Sequence, residues 1–294
     1  MSDRLRPWLM LAPALLVIGV LFFGGLAAGV MRSFSYMPVI GLTEPNLDAS
    51  TAILSSREFY LSLALSFHIA FTSTLISCVL AVAAALLLRR SFLGRPVITF
   101  LFQLNLTLPH LVGAIGILAL FSQSGSFARL AYHTGLITKA AEFPALIFDP
   151  YAIGIILQYV WKEVPFIGLI LLANMQTLGE DYESAARNLG ASRWQSFRFV
   201  LMPLLLPGLL PASVIVFAFA FGAYEIPLLL GQNHPAALPD LAWRSYAAAD
   251  LAARPQAMAM AVIIALISAA LVWAYMRSAR RASGKGAPGA NPCA

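Results

Sequence analysis

The sequence predicts an all-α polytopic membrane protein with six transmembrane helices, and three observations carry that prediction. Hydrophobic residues make up 60% of the 294 positions and charged residues 11%, whereas roughly a quarter of a soluble domain is charged. The apolar residues gather into runs of the length that crosses a hydrocarbon core, about 20 residues. The basic residues flank these runs instead of clustering on a soluble module, so the net charge of +6 speaks for a membrane and against a nucleic-acid partner.

Taken in order, Arg4 and Arg6 precede a first apolar run, 8–31. It exceeds the roughly 7–15 residues of a signal-peptide core and reads as an uncleaved span. Residues 32–58, with Pro38, Pro45 and Asn46, read as an exposed loop. The second span, 59–88, ends on Arg89 and Arg90, and a basic turn through Arg95-Pro96 opens the third, 97–121. A longer outer segment follows, with a short helix expected around Phe127 to Ile137. The remaining spans are 151–175, 202–230 and 255–276, and 231–254 is an outer loop. Residues 1–276 thus form one membrane domain. The basic tail 277–294 is rich in Gly and Pro and expected to be disordered. Cys78 lies in a span and Cys293 in the tail, so no disulfide framework is implied.

The basic residues set the orientation. With the N-terminus inside, twelve lie on the cytoplasmic side and six outside (Arg32, Arg57, Arg129, Lys139, Arg244 and Arg254). Both termini are therefore expected in the cytoplasm of a multi-pass inner-membrane protein.

One polar island, 177–201, interrupts the apolar pattern on that same side. Thr177 with Glu180 fits a capping box, and acidic Glu180, Asp181 and Glu183 suit a first helical turn. Tyr182, Ala185, Ala186 and Leu189 follow at helical spacing and make a small apolar face. Gly190 stands where a helix end wants left-handed backbone. Ser192 with Gln195 is a second capping box, opening a helix that enters the membrane at Pro203. The stripe of alanines buries little in lipid but lets a partner's backbone approach. A plain amphipathic helix lying in the headgroups is the competing reading.

The run Ser184-Ala185-Ala186-Arg187-Asn188-Leu189-Gly190, closed by Val200-Leu201-Met202-Pro203, resembles the EAA loop of bacterial ABC-importer permeases. WKEVPF around Trp161 and FGAYEIPLLLG around Glu225 extend the likeness, most closely toward spermidine/putrescine-type permeases. The resemblance implies the type I importer fold, in which this loop is the coupling helix that docks on a cytosolic ABC ATPase dimer. It assigns that contact to Glu183, Ser184, Ala185, Ala186, Arg187, Leu189 and Gly190. Ser184 occupies the family's glutamate position with Glu183 just before it, so either residue can take that role. The resemblance also implies a second permease subunit, a periplasmic solute-binding protein, and ATP with Mg on the ATPase, leaving this chain non-enzymatic and without a cofactor. The implied solute is a polyamine, with thiamine, iron or an aminophosphonate as alternatives.

Ionisable groups at membrane depth are functional candidates by default. Lys162 and Glu163 sit mid-span, about 100° apart on the helix, so both cannot face one partner. Pro165 beside them frees a carbonyl and permits a kink. Glu225 reads either as a contact for a cationic solute or as an interfacial glutamate, with Tyr224 an interfacial ring. Trp161 and Asn105 complete the candidates for the solute path, and Asn105 and His110 equally suit bonding between helices. Pro203, Pro207 and Pro211 recur every fourth residue and should loosen the fifth span.

Other chemistries lack their signatures. The sequence has no G-x-x-x-x-G-K-[S/T] loop and no H-E-x-x-H, which excludes a Walker site and a zinc-protease helix. His68 and His110 have no second ligand at helical spacing, so no metal site is expected. Ser66, Ser73 or Ser77 with His110 leaves a hydrolase as an alternative of another class, beside a secondary transporter.

Overall fold

The structure, a computed structural model, describes residues 6–89, 92–178 and 181–284. They form helices and turns throughout. In chain order these are α1 (Arg6–Ile18), a π turn over Gly19–Phe23, α2 (Gly24–Ser33), α3 (Asp48–Ser55), α4 (Arg57–Leu88), α5 (Arg95–Thr107), α6 (His110–Phe121) and α7 (Ser126–His133). Then come α8 (Ile153–Leu178), α9 (Asp181–Asn188), α10 (Arg193–Ser196), a π turn over Phe197–Leu201, α11 (Met202–Gly222), α12 (Glu225–Leu230), α13 (Leu238–Ala247) and α14 (Arg254–Gly284).

Six stretches among the described residues are long and apolar enough to cross a membrane: Met10–Ser33, Arg57–Leu88, His110–His133, Ile153–Gln176, Arg193–Gly222 and Leu251–Arg277. Two of the expected spans are interrupted. The stretch 97–121 divides at Leu108, whose backbone is extended before Pro109. The proline ring disfavours helical backbone in the residue before it. The stretch 202–230 breaks at Ala223, also extended, and restarts as α12 with Pro227 in its first turn, where a missing N–H costs nothing. The expected short outer helix is present as α7.

The loops hold more structure than their composition suggested. Residues 32–58 contain α3, which buries Ala49 and Ile53 as it packs on α14. Residues 231–254 contain α13, where fully buried Asp240 takes both ends of the Arg244 guanidinium at 2.8 Å. Helical backbone continues through Gly284, into the stretch expected as a disordered tail. Arg and Ala there are good helix formers.

The core lies between α4, α8 and α11. One face of α4 carries Ser62, Ser66, Ala70, Ser73, Ser77, Ala81 and Ala85, all buried. Small residues let helix backbones approach closely where lipid supplies no hydrophobic drive between helices. Ile155, Tyr159, Ile167 and Leu171 of α8 fill the space opposite. Pro165, Pro207 and Pro211 lie inside helices that remain continuous. The π turn immediately before Pro203 widens the backbone where that proline's ring would otherwise meet the carbonyl of Phe199.

Candidate functional site

Two regions gather the polar chemistry: the helical elbow between α8 and α11, and a cavity between the α5–α6 break, α8 and α11.

At the elbow, Gly190 has φ +85°, in the left-handed region where glycine escapes the Cβ penalty. Its N–H donates to the Arg187 carbonyl at 2.9 Å, and the Ala191 N–H reaches back to the Ala186 carbonyl at 3.0 Å. These are the two bonds of a Schellman end, and they satisfy carbonyls that the end of α9 would leave unpaired. Two residues on, the Gln195 N–H donates to Ser192 Oγ at 3.3 Å, and the Ser192 N–H donates to Gln195 Oε1 at 2.8 Å. The Ser192 capping box is thus formed as its spacing predicts. The other expected pair, Thr177 with Glu180, lies outside the described residues at Glu180; α8 runs through Leu178 and α9 starts at Asp181.

α9 shows most of its surface. Tyr182, Ser184, Ala185, Arg187, Asn188, Leu189 and Gly190 are exposed, and Ala186 is half-buried. Leu189 is 89% exposed. Glu183 differs from its neighbours. Its carboxylate turns inward to pair with Arg89 at the end of α4 and with Arg187 one turn along α9 at 2.7 Å. Burial raises the Glu183 pKa, but the hydrogen bond and charge of Arg89, then those of Arg187, outweigh it and hold the carboxyl below its ordinary value.

In the bundle, Lys162 and Glu163 are each at least nine-tenths buried, at 5% and 3% exposure, and they face different partners. The Lys162 ammonium donates to the carbonyls of Asn105 and Leu108, where α5 ends and the helix dipole is negative. Glu163 Oε2 accepts from Ser77 Oγ at 3.3 Å, while Oε1 has no partner. Asn105 Nδ2 donates to the Trp161 carbonyl at 2.8 Å. That carbonyl lies four residues before Pro165, which has no N–H to offer it, so Asn105 mends the bond the proline removes.

A cavity of about 370 Å³ opens beside these groups, walled by Leu106, His110, Lys162, Glu163, Phe166 and Phe219 among others. The His110 ring lies against Phe219, centroids 4.6 Å apart. Of the sequence candidates for the path, the structure places Glu163 in this wall. Asn105 serves helix joining, and Trp161 packs close to Gly113 of α6. Glu225 begins α12 and is exposed, and Tyr224 stacks on Trp243 at 4.9 Å; neither stands in the wall of this cavity. Phe166 and Phe219 were not singled out, because an aromatic in an apolar run carries no signal of its own.

The serines of α4 are engaged elsewhere than with His110. Ser66 Oγ accepts from the Leu238 N–H at 2.7 Å, Ser73 bonds its own helix and Ser77 bonds Glu163. Among the described residues no cluster of three or more His, Cys, Asp or Glu is placed to hold a metal.

Six candidate spans, with a capped helical elbow between the fourth and fifth, define a protein of the importer-permease class. Residues 75–284 match the family described as binding-protein-dependent transport system inner membrane component, and the chain belongs to that family. A thiamine transport system permease protein of Salmonella typhimurium is 32% identical over 233 residues, 77% of this chain. The matched region is 41% of that protein's length, so the chain spans less than half of it. A probable molybdenum ABC transporter permease protein of Haloferax volcanii is 32% identical over 238 residues, covering 80% of this chain and 83% of its own. In fold, the chain is similar to a chain of the crystal structure of a bacterial ABC transporter involved in the import of the acidic polysaccharide alginate. The TM-score is 0.78 at 19% identity, over 95% of this chain and 98% of that one.

Proposed function

We propose that this chain is one permease subunit of an ATP-driven importer, forming half of the path for a small solute that a binding protein delivers. The observation that carries the reading is the elbow: a short helix closed by Gly190 and set outside the spans, with Leu189, Tyr182 and Trp194 uncovered. A helix with a small, uncovered apolar face needs a surface to press on, and a groove on a cytosolic ABC ATPase supplies one. Ser184, Ala185, Arg187 and Leu189 make that contact, and Glu183, tied to Arg89, holds the helix in place for it. A second permease completes the pore, both termini lie in the cytoplasm, and ATP and Mg act on the ATPase.

The names of the relatives support thiamine, the alternative reading, over the polyamine that the sequence first suggested, and add a metal-derived solute.

Purification of the tagged chain from its native membrane in mild detergent, followed by mass spectrometry, tests this reading. A co-purifying ATPase with a Walker loop is expected. A chain that remains alone after cross-linking in the membrane overturns it.

A further inference from the structure

The cavity beside Glu163 has a chemical character that family membership does not specify. Nine buried side-chain polar atoms among the described residues lack a hydrogen-bond partner, and five of them are carried by α5, α6 and α8. They are Asn105 Oδ1, His110 Nδ1, Gln158 Oε1, Tyr159 Oη and Glu163 Oε1. Unsatisfied groups inside a bundle are costly, the more so at membrane depth. Two of the five, His110 Nδ1 and Glu163 Oε1, belong to side chains that line the cavity, and the Glu163 oxygen offers a buried acceptor to a hydrogen-bond donor.

The balance of charge says which kind of donor it suits. Two charged side chains line the cavity, Lys162 and Glu163. The Lys162 ammonium is committed to the Asn105 and Leu108 carbonyls, and the negative end of α5 offsets its charge. Glu163 has only the Ser77 hydroxyl, at 3.3 Å, on one of its two oxygens. The unmatched charge is therefore negative. Apart from His110 the rest of the wall is apolar, and it includes two aromatic rings, Phe166 and Phe219, whose faces attract cations. An oxyanion there would bring its charge against Glu163 Oε1, with two of the three Lys162 N–H donors already engaged. At about 370 Å³ the cavity falls within the range of small-molecule sites.

We propose that this cavity is a solute subsite for a small organic cation with hydrogen-bond donors, held by Glu163 Oε1 against the Phe166 and Phe219 rings, and that it rejects oxyanions. The proposal rests on the permease reading, but its test reads binding and needs no working importer. The complex as purified from its native membrane, with whatever subunits accompany the chain, is placed in lipid nanodiscs. Binding of radiolabelled thiamine, as the organic-cation probe, is compared with that of molybdate and sulfate. Thiamine should bind the wild-type chain, and Glu163→Gln should weaken it at least tenfold. Ile215→Trp, which fills the cavity from another wall and leaves Glu163 in place, should also weaken it. Both oxyanions should fail to bind.

Oxyanion binding that is lost in Lys162→Met overturns the proposal, as does thiamine binding unchanged in both Glu163→Gln and Ile215→Trp. Absence of binding by any probe also overturns it. If Glu163→Gln does not fold, Ile215→Trp alone decides. None of these results touches the permease reading, which fails only if no ATPase accompanies the chain.

Discussion

The Arg89 guanidinium at the end of α4 is ion-paired with Glu183 of α9, joining residues 94 positions apart in sequence. Between them they fasten the elbow to the longest helix of the bundle, and Glu183 also holds Arg187. With side-chain exposures of 22% and 15%, the pair is partly shielded from solvent and contributes about 1 kcal/mol. Arg89→Ala should therefore raise amide hydrogen exchange across 181–189 by roughly fivefold. Adding it to Glu183→Ala should change little further, because the second substitution removes an interaction already gone. Additive effects of the two would show that the pair does not hold α9.

The same pair carries a pH dependence whose sign follows from the shift. Arg89 and Arg187 hold the folded Glu183 carboxyl below its ordinary value of 4.5, so the folded state binds this proton less readily than the unfolded one. Its contribution is fully present above the unfolded value and is lost as pH falls through the lower folded one. Protection of α9, corrected for intrinsic exchange, should stay flat from pH 8 to about 5 and decline below about 4.5. A loss of protection centred near pH 6.5 would point to a histidine instead.

At Gly190 nothing lies within 4 Å of where a Cβ would stand, so substitution there acts through backbone conformation alone. With φ at +85°, a β-branched residue is strained by about 1–2 kcal/mol, whereas asparagine tolerates the left-handed region. Gly190→Val should open the Schellman end and uncouple ATPase activity from transport in the assembled importer. Gly190→Asn should stay near wild type in both. Equal effects of the two would mean that space, not conformation, governs the position.

Lys162 is the fourth test. Its ammonium caps the end of α5, so Lys162→Met takes the ammonium donor from the Leu108 carbonyl, while the Asn105 carbonyl keeps the Leu108 N–H at 3.2 Å. The expected cost is about 2–3 kcal/mol, read as thermal stability in detergent. Glu163→Gln should cost less, since it gives up only one long bond to Ser77. The reverse order would assign the structural role to Glu163.

The elbow was legible because its signals are local. Ser192 with Gln195, and the glycine closing α9, act at fixed offsets of a few residues. Spans were legible as apolar runs for the same reason. Arg89 as the partner of Glu183 was not, nor was Asn105 as the group that mends the helix at Pro165, because each joins elements that only the packed bundle brings together. α13 was a different kind of miss. Pro239 in its first turn and Asp240 four residues before Arg244 are local helix signals, and the reading of 231–254 as a loop passed over them. The breaks at Leu108 and Ala223 were obscured because hydropathy, averaged along a run, ignores the backbone a single proline demands.

Gly113 gives the sharpest packing test. It sits on α6 where a Cβ would lie 2.6 Å from both Trp161 Cζ3 and Gln158 Nε2 of α8, closer than side chains tolerate. Gly116, one turn along the same helix, has nothing within 4 Å. Both glycines are helical, so alanine should favour the helix at either position by up to about 1 kcal/mol. At Gly113 the clash should outweigh that gain. The indole and amide must move, and overpacking of this kind costs about 1–3 kcal/mol. Gly116→Ala should then match or exceed wild type in thermal stability, while Gly113→Ala falls below it. If the two alanine variants melt together, α6 and α8 do not pack as closely as this geometry requires, and the wall that places Glu163 beside His110 loses its support.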